Sequence, residues 1–486
     1  MKENLKIAWR NLWRNKRRTT ITISSIFFAV FFSILMRSFQ LGTYENMLNN
    51  IVTQFSGHIQ IQDKEYFDNP TLDYSIAMDK ELLQKLQKMP QVTNYVPRLQ
   101  LGGLAAKNNA SRIAFVYGVD IEKENQLSLL YKRIVHFILD TAIVDRMGEI
   151  VDDNLNKKLQ FYYNKPYTSI ENALLDLKID GFDTTKISQI IRQSTKIDYQ
   201  NINVSSNEIL IGYDLAQYLE ANIADSIVIF GQGFEGSNAV GVFKVAGLLK
   251  FPNEGFNSRI IYMPLGVAQK FANAYKINNE NDTTFFASYI SINTIYKAGL
   301  DDDVYKNIEN ICQHIQQSSN DTLLRAIGWQ TLNKDLYRML KFDNVAGMIS
   351  SYVLYLIIAF GVLGTIMMMV AERKREFGVM MAIGLKRSKL SIIVATEMFI
   401  MGFISFILGL VVTAPIIYFG YNNPIVLHGQ QAQGMAEYNI EPILKFGWFG
   451  SYIWQQLIIV TFMVAIISLY AFWKINKMKV IEALRA

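Results

Sequence analysis

A few sets of residues in this 486-residue chain have types and spacings that could carry chemistry. "GQGFEG", residues 231–236, matches G-x-G-x-x-G and follows an apparent strand, "SIVIF". A dinucleotide's phosphates would need a helix N-terminus directly afterwards. "SNAVGVFKVAGLL" follows instead and alternates like a second strand, so the glycines read as a hairpin. His58, His136, His314 and His428 are scattered without H-E-x-x-H or other ligand spacing, and no metal site is expected. No G-x-S-x-G elbow and no G-x-x-x-x-G-K-[ST] loop occurs. The single cysteine, Cys312, excludes an intrachain disulfide and reads as a buried apolar filler. No catalytic residue is therefore expected. Glu397 remains, a carboxylate inside a long apolar run. It stands two turns from that run's basic end, where Arg387 or Lys389 would anchor it; a proton or substrate role is the alternative.

The elements that position Glu397 are membrane-like. Half of the residues are hydrophobic, 13% are aromatic, and the mean hydropathy is +0.13, which fits a few spans plus a large water-exposed domain. Four runs qualify as transmembrane helices: 19–42, 344–371, 390–419 and 452–473. Trp9, Trp13, Trp448, Trp454 and Trp473 lie near their ends, as an interfacial aromatic belt does. The chain's net charge of +6 equals the balance of residues 1–18, seven basic groups against Glu3. A nucleic-acid site is not read there, because the cluster runs straight into the first apolar segment. The 372–389 loop and the 474–486 tail are also basic, whereas the 420–451 loop has only Lys445. The positive-inside rule then puts both termini and the short basic loop in the cytoplasm, and residues 43–343 outside. No A-x-A-like site follows Met36, so the first run reads as an uncleaved anchor rather than a signal peptide. Ahead of it, Leu5, Trp9, Leu12 and Trp13 share a helical face beside Lys6, Arg10 and Arg14, the pattern of a helix lying on a membrane surface.

Residues 43–343 carry two similar passages of strand, helix and strand: "GHIQIQ", "DKELLQKLQKM", "VTNYVPRLQL", and then "SYISIN", "VYKNIENICQHIQ", "LLRAIGWQTL". They read as βαβ-type units forming two halves of one subdomain. Residues 121–205 look like a helical, polar insert, and 208–265 return to β character. The expected fold class is a membrane protein with four transmembrane helices and a large α+β extracytoplasmic domain between helices 1 and 2.

The 372–389 loop contains "FGVMMAIGL", about 14 Å of helix, too short to cross a bilayer and too apolar for a surface loop. Phe377, Met380, Met381 and Gly384 follow i, i+3, i+4, i+7 and form one stripe, with Gly384 suited to end the helix. Physics leaves two readings open: the stripe docks in a partner's groove, or it packs on the chain's own spans.

"AERKREFGVMMAIGLKRSKLSIIVATEMF" resembles the segment shared by the FtsX-like permeases of ABC transporters, where a basic E-R-x-R-E-x-G run precedes an A-x-G turn and a Glu follows in the next span. "AWRNLWRNKRRTTITISSI" is similar to that family's N-terminal helix and first span, and "KMKVIEALRA" to its closing P-x-E-A-L element, with Val480 where Pro is usual. "GVD" (118–120) and "EILIGYDLAQYLEANIADSIVI" resemble the extracytoplasmic domain of the lipoprotein-releasing (Lol-type) permeases. The 121–205 insert has no place in that pattern. The resemblance implies a permease subunit in the bacterial inner membrane, paired with itself or a sister permease. A separate cytoplasmic ABC ATPase would bind the ATP and Mg, with no cofactor in this chain. A periplasmic lipoprotein carrier or adaptor is a further implied partner, besides membrane lipids. It assigns ATPase contact to Arg373, Arg375, Glu376, Phe377, Met380, Met381, Ile383 and Gly384, and the membrane-surface helix to Trp9, Arg10, Trp13 and Arg14. Phe28, Phe31, Phe32, Met348, Tyr352 and Tyr355 are candidate acyl-chain contacts from their apolarity and position. The alternatives are efflux of the MacB type, whose members carry a fused ATPase, and a membrane-anchored sensor or scaffold.

Overall fold

An uncharged stretch in a low dielectric can satisfy its backbone only by internal bonding, and each apolar run folds as one long helix. The four are Lys16–Leu48, Lys334–Glu372, Arg387–Asn422 and Ser451–Asn476, hereafter spans one to four. All four are long and apolar enough to cross a membrane. The structure is a computed structural model that describes residues 2–149, 159, 162–177, 183–194, 207–251, 254–279, 282–318, 323–427 and 443–484. His428 and Arg485 lie outside the described residues. The chain divides into two units, one of Met1–Asn46, Arg338–Ile425 and Ile443–Ala486, the other of Met47–Tyr337 and Val426–Pro442.

In the helical unit Ile26, Val30, Ile34, Val362, Ile366, Val394, Met398, Val464 and Ile467 form a common core. Span three packs along span four, and the N-terminal helix Lys2–Arg14 packs on span three. Gly409 admits span one closely: a Cβ there would sit 2.7 Å from Val30 Cγ1. Span one is held to its neighbours by polar contacts as well. Ser33 Oγ donates to Gln456 Oε1 at 2.9 Å, and Ser405 Oγ to the Ile23 carbonyl at 3.0 Å.

The second unit is built on a nine-stranded sheet: β1 Ile59–Asp63, β2 Val92–Lys107, β3 Ala110–Val119, β4 Glu208–Gly212, β5 Ser226–Gln232, β6 Asn238–Leu249, β7 Ile260–Pro264, β8 Tyr289–Thr294 and β9 Leu324–Gly328. Their order is β9-β1-β8-β2-β3-β7-β4-β6-β5, and β5 pairs back onto β2. The β9-β1-β8-β2 part is antiparallel throughout. Its helices, Lys80–Lys88 and Asp302–Ser318, join β1 to β2 and β8 to β9, so the two predicted passages interleave as a split βαβ pair. Ile59, Ile61, Leu82, Leu86, Ile290, Ile292, Ile308 and Cys312 make the shared core. The outer half of β2 leaves this layer and closes a six-stranded barrel with β3, β7, β4, β6 and β5. Gly103 permits the closure, since a Cβ would lie 2.6 Å from the Phe230 carbonyl oxygen. "GQGFEG" ends β5 and enters the turn into β6, the hairpin its flanks predicted.

The insert differs from its expected boundary. Helix Ile121–Ser128 and residues 130–135 belong to the sheet cores, and a separate small core begins at Phe137, with Leu139, Ile143, Met147, Tyr167, Leu177, Ile187 and Ile191. The reason is electrostatic. Arg98 on β2 is fully buried and needs a counter-charge, and Glu124 supplies it through Nε–Oε2 at 2.9 Å and Nη2–Oε1 at 2.7 Å. A third donor of Arg98 reaches the Phe55 carbonyl, and the guanidinium lies 5.8 Å from the Phe55 ring.

Removing one member of such a pair strands a buried charge and costs about 3–5 kcal/mol. Glu124→Ala in the full chain should therefore accelerate amide exchange across β2 by a loss of that size, and Arg98→Met with Glu124→Leu should recover most of it. His58 gives a pH test. Burial pushes its pKa down to about 4, while its ring accepts from the Thr294 N–H at 3.0 Å. The unfolded imidazole takes a proton near 6.5, so between about 6.5 and 4 the unfolded state binds more protons. Stability of this unit should fall as pH drops through that window, on the order of 3 kcal/mol in all. Exchange protection of β1 and β8 in His58→Gln should change less with pH than in the wild type.

Candidate functional site

Residues 372–397 concentrate the charges of the helical unit, and the way they are paired sets which face of the short helix looks outward. Span two ends at Glu372 and the helix Lys374–Ala382 follows, with Arg373 at the junction. Arg373 Nη1 donates to both oxygens of Glu397, at 3.1 and 3.0 Å, and Asn11 Nδ2 donates to Oε1 at 2.6 Å. Glu397 is 1% exposed. Its anchor is thus Arg373 and the N-terminal helix, not Arg387 or Lys389; Arg387 instead donates to the Asn476 carbonyl at 2.8 Å. Arg373 Nε also reaches Glu376 Oε2 at 3.2 Å, and Arg14 pairs with the same carboxylate. Burial raises the Glu376 pKa, but the hydrogen bonds from Arg14 and Arg373 outweigh it and hold the carboxyl below its ordinary value. Arg18 and Glu372 add a 3.7 Å pair between spans one and two.

This pairing turns the short helix over. The Arg373 guanidinium lies 5.1 Å from the Phe377 ring, and Phe377 is 0% exposed inside the helical core. Met380 and Met381 are half-buried against that core. The expected outward stripe therefore faces the chain's own spans, because Arg373 can reach Glu397 only if its own face turns in, and Phe377 lies one turn along that face. The outward face is Arg375, Val379 at 43% and Ile383 at 82% exposure. Gly384 ends the helix at φ +101 and is also exposed. The closing helix Val480–Leu484 packs on the short helix and adds exposed Ile481. Val379, Ile481 and the hydrogen-bond donor Asn11 escape a sequence reading, although Arg373 and Glu376 at i, i+3 signal a pairing face.

The N-terminal helix buries Ala8 and Leu12 and leaves Leu5, Trp9 and Trp13 exposed, the two indoles edge to face at 6.0 Å. Arg10 and Arg14 are exposed beside them. Leu12 thus leaves the predicted face, drawn inward with Asn11. On span one, Phe27, Phe28, Phe31 and Phe32 form a ladder of ring contacts in which Phe28 and Phe32 are exposed and Phe31 half-buried. On span two Tyr352 is exposed and Met348 half-buried, but Tyr355 is 3% exposed and faces the bundle, which removes it from an outward acyl surface. At the end of these two spans away from Glu397, Arg37 Nη1 donates to Gln40 Oε1 at 2.6 Å and Asn344 Oδ1 at 3.0 Å, and Tyr44 donates to Asp343. Spans one and two are therefore tied at both ends, with Thr22 and Thr365 in contact at 3.2 Å between them. Among the described residues no cluster of His, Cys, Asp or Glu is placed to hold a metal. The arrangement links the short helix to span two, span three and the N-terminal helix.

Glu397→Gln should lower the unfolding free energy of the detergent-solubilised chain by up to about 3–5 kcal/mol, since it leaves buried Arg373 with only the partly exposed Glu376 as counter-charge. Arg14→Ala, which breaks an exposed pair, should cost less than about 1 kcal/mol. Equal losses in the two variants would contradict this ranking.

The extracellular domain of the noncanonic ABC-type transporter YknZ from Gram-positive bacteria is similar over 56% of this chain and 99% of its own length, at 11% identity and a TM-score of 0.28. The periplasmic region of MacB from Actinobacillus actinomycetemcomitans is similar over 57% of this chain and 91% of its own, at 10% identity and the same TM-score of 0.28. No curated protein sequence matches the chain. Residues 348–480, which include Arg373, the short helix and Glu397, match the FtsX-like permease C-terminal family.

Proposed function

We propose that the chain is the permease subunit of an ABC transporter and that ATP hydrolysis by a separate ATPase enters it at the exposed face of the short helix. The match of residues 348–480 to the FtsX-like permeases supports this reading. The observation that carries the contact is the two-sided helix: Phe377 is anchored inside, while Val379 and Ile383 stand out at i, i+4 beside Arg375. An apolar knob rimmed by a cation suits a groove on a partner protein. The basic termini and the basic 372–389 loop favour the cytoplasm for this end, and a bacterial inner membrane for the chain. Trp9 and Trp13 would then rest in the inner interface with Arg10 and Arg14 toward anionic lipid.

In this reading a push on Ile383 is not absorbed locally. Phe377 and the Arg373–Glu397–Asn11 contacts pass it to span two, span three and the N-terminal helix together. Span two is one unbroken helix from Lys334 to Glu372, so a tilt imposed at one end is carried to the other. ATP and Mg belong to the partner ATPase, and a second copy or a sister permease completes the transporter. The cargo we favour is an acylated protein taken from the outer leaflet and passed to a periplasmic carrier. The exposed rings of Phe28, Phe32 and Tyr352 provide apolar surface on which a lipid chain can lie.

Val379→Asp with Ile383→Asp should reduce stimulation of the partner ATPase at least ~10-fold in a reconstituted complex while leaving the chain's unfolding midpoint unchanged, as exposed positions allow. Phe377→Ala should act differently, costing about 3–5 kcal/mol of stability from the cavity it leaves. An unaltered ATPase rate in the double variant would sink the coupling assignment. For the cargo, depletion of the chain should strand acylated proteins in the inner membrane. A normal lipoprotein distribution, with accumulation of a periplasmic peptide or drug, would replace that cargo with MacB-like efflux.

A further inference from the structure

The nine-stranded sheet closes on itself at the β5 end, so β9 is its open edge among the described residues. Which β9 groups face outward follows from its pairing with β1. The Lys64 N–H donates to the Leu323 carbonyl at 3.0 Å and the Trp329 N–H to the His58 carbonyl at 2.9 Å, and antiparallel pairing alternates from there. Arg325 and Ile327 therefore bond β1, while Leu324, Ala326 and Gly328 aim their N–H and C=O groups away from the sheet. A groove of about 330 Å³ runs along this edge, between β9 and the helix Asp302–Ser318. Its floor includes Ile308, Cys312 and Ile327, and its wall includes Gln330, whose buried Nε2 has no hydrogen-bond partner. One side chain stands on the edge itself. The Gln316 Oε1 accepts from the Ala326 N–H at 3.2 Å, and its Nε2 donates to the Leu324 carbonyl at 2.5 Å. That carboxamide offers β9 the same acceptor and donor that a peptide bond of a tenth strand would offer.

We infer that this groove is a binding site for an extended polypeptide segment of a partner protein, which pairs with β9 at Leu324, Ala326 and Gly328 and displaces the Gln316 carboxamide. Backbone pairing supplies the affinity, and alternate side chains of the added strand select the sequence. A residue opposite Ala326 points to the helix side, onto Ile308 and Cys312, so a small apolar residue belongs there. Burial pushes the Cys312 thiol up to about 12, so it meets that residue as a neutral apolar group. The amides of Gln313, Gln317 and Gln330, with Glu309 and Arg325 also on the lining, favour polar neighbours on the ligand. The inference is independent of the transport reading, since it concerns only this edge.

The probe is a fluorescein-labelled decapeptide of alternating Thr and Val with a Lys at each end, titrated onto the full chain in nanodiscs by fluorescence anisotropy. Gln316→Ala should bind it at least ~3-fold more tightly, because the competing carboxamide is gone. Ala326→Pro, which removes the outward N–H at an edge position that tolerates proline, should weaken binding at least ~10-fold. The same decapeptide with alternate backbone amides N-methylated tests the pairing without altering the protein and should not bind. Absence of binding to both wild type and Gln316→Ala overturns the proposal. So does binding that survives both Ala326→Pro and N-methylation. A Gln316→Ala chain that loses stability with no gain in binding makes Gln316 a structural tie and overturns it too. Self-association that excludes the decapeptide and disappears in Ala326→Pro assigns the edge to a second copy instead.

Discussion

The helical unit is organised by one requirement: the Glu397 carboxylate, buried in an apolar bundle, has to meet a positive charge. Several kcal/mol of lost hydration per ion is recovered only by close, hydrogen-bonded pairing. Arg373 provides it from the end of span two, and Asn11 completes it from the N-terminal helix. The remaining features of this end follow. Arg373 facing inward fixes the turn out of span two; Phe377 then lies beneath the guanidinium; Val379 and Ile383 are left on the outside. A surface suited to receiving force thus exists because the opposite face is held by a buried charge.

The sheet unit meets a similar demand similarly. Arg98 sits where β2 passes from the split βαβ layer into the barrel, and its pairing with Glu124 draws the helix 121–128 against that junction. The Phe55 carbonyl, at the end of the π-helical turn Asn49–Ser56, takes its third hydrogen bond. In each unit a buried arginine, bidentate on Glu124 at Arg98 and sharing one nitrogen between the two Glu397 oxygens at Arg373, joins elements that apolar packing alone would hold with less definite geometry. Arginine is the residue suited to this, because its planar donors fix orientation as well as distance.

The open edge at β9 contrasts with the barrel. Six strands remove their edges by closing, whereas β9 keeps an outward row of backbone groups and one glutamine over two of them. Edges left long and bare invite unwanted pairing, and a short strand with a covering side chain limits it. The same device leaves a site that a better-matched partner can take.

Much of the plan was legible in the residues. Long apolar runs specify spans whatever surrounds them, since hydrocarbon admits no other backbone arrangement. Alternation marked β1, β2, β8 and β9 and the helices between them, and the strand after "GQGFEG" distinguished a hairpin from a nucleotide loop. The stripe of Phe377, Met380 and Met381 was equally legible as a stripe, but a period of 3.6 defines a face without saying what the face meets. The insert's boundary failed for the same reason, because nothing near Glu124 in the chain announces Arg98. Composition and period act locally, so the sequence by itself determined the spans, the strands and the basic ends. Which way the short helix turns, which cation neutralises Glu397, where the barrel closes and which strand is left at the edge depend on groups tens to hundreds of residues apart. Those pairings exist only once the chain is folded, because a buried charge or an outward N–H acquires its partner from tertiary structure.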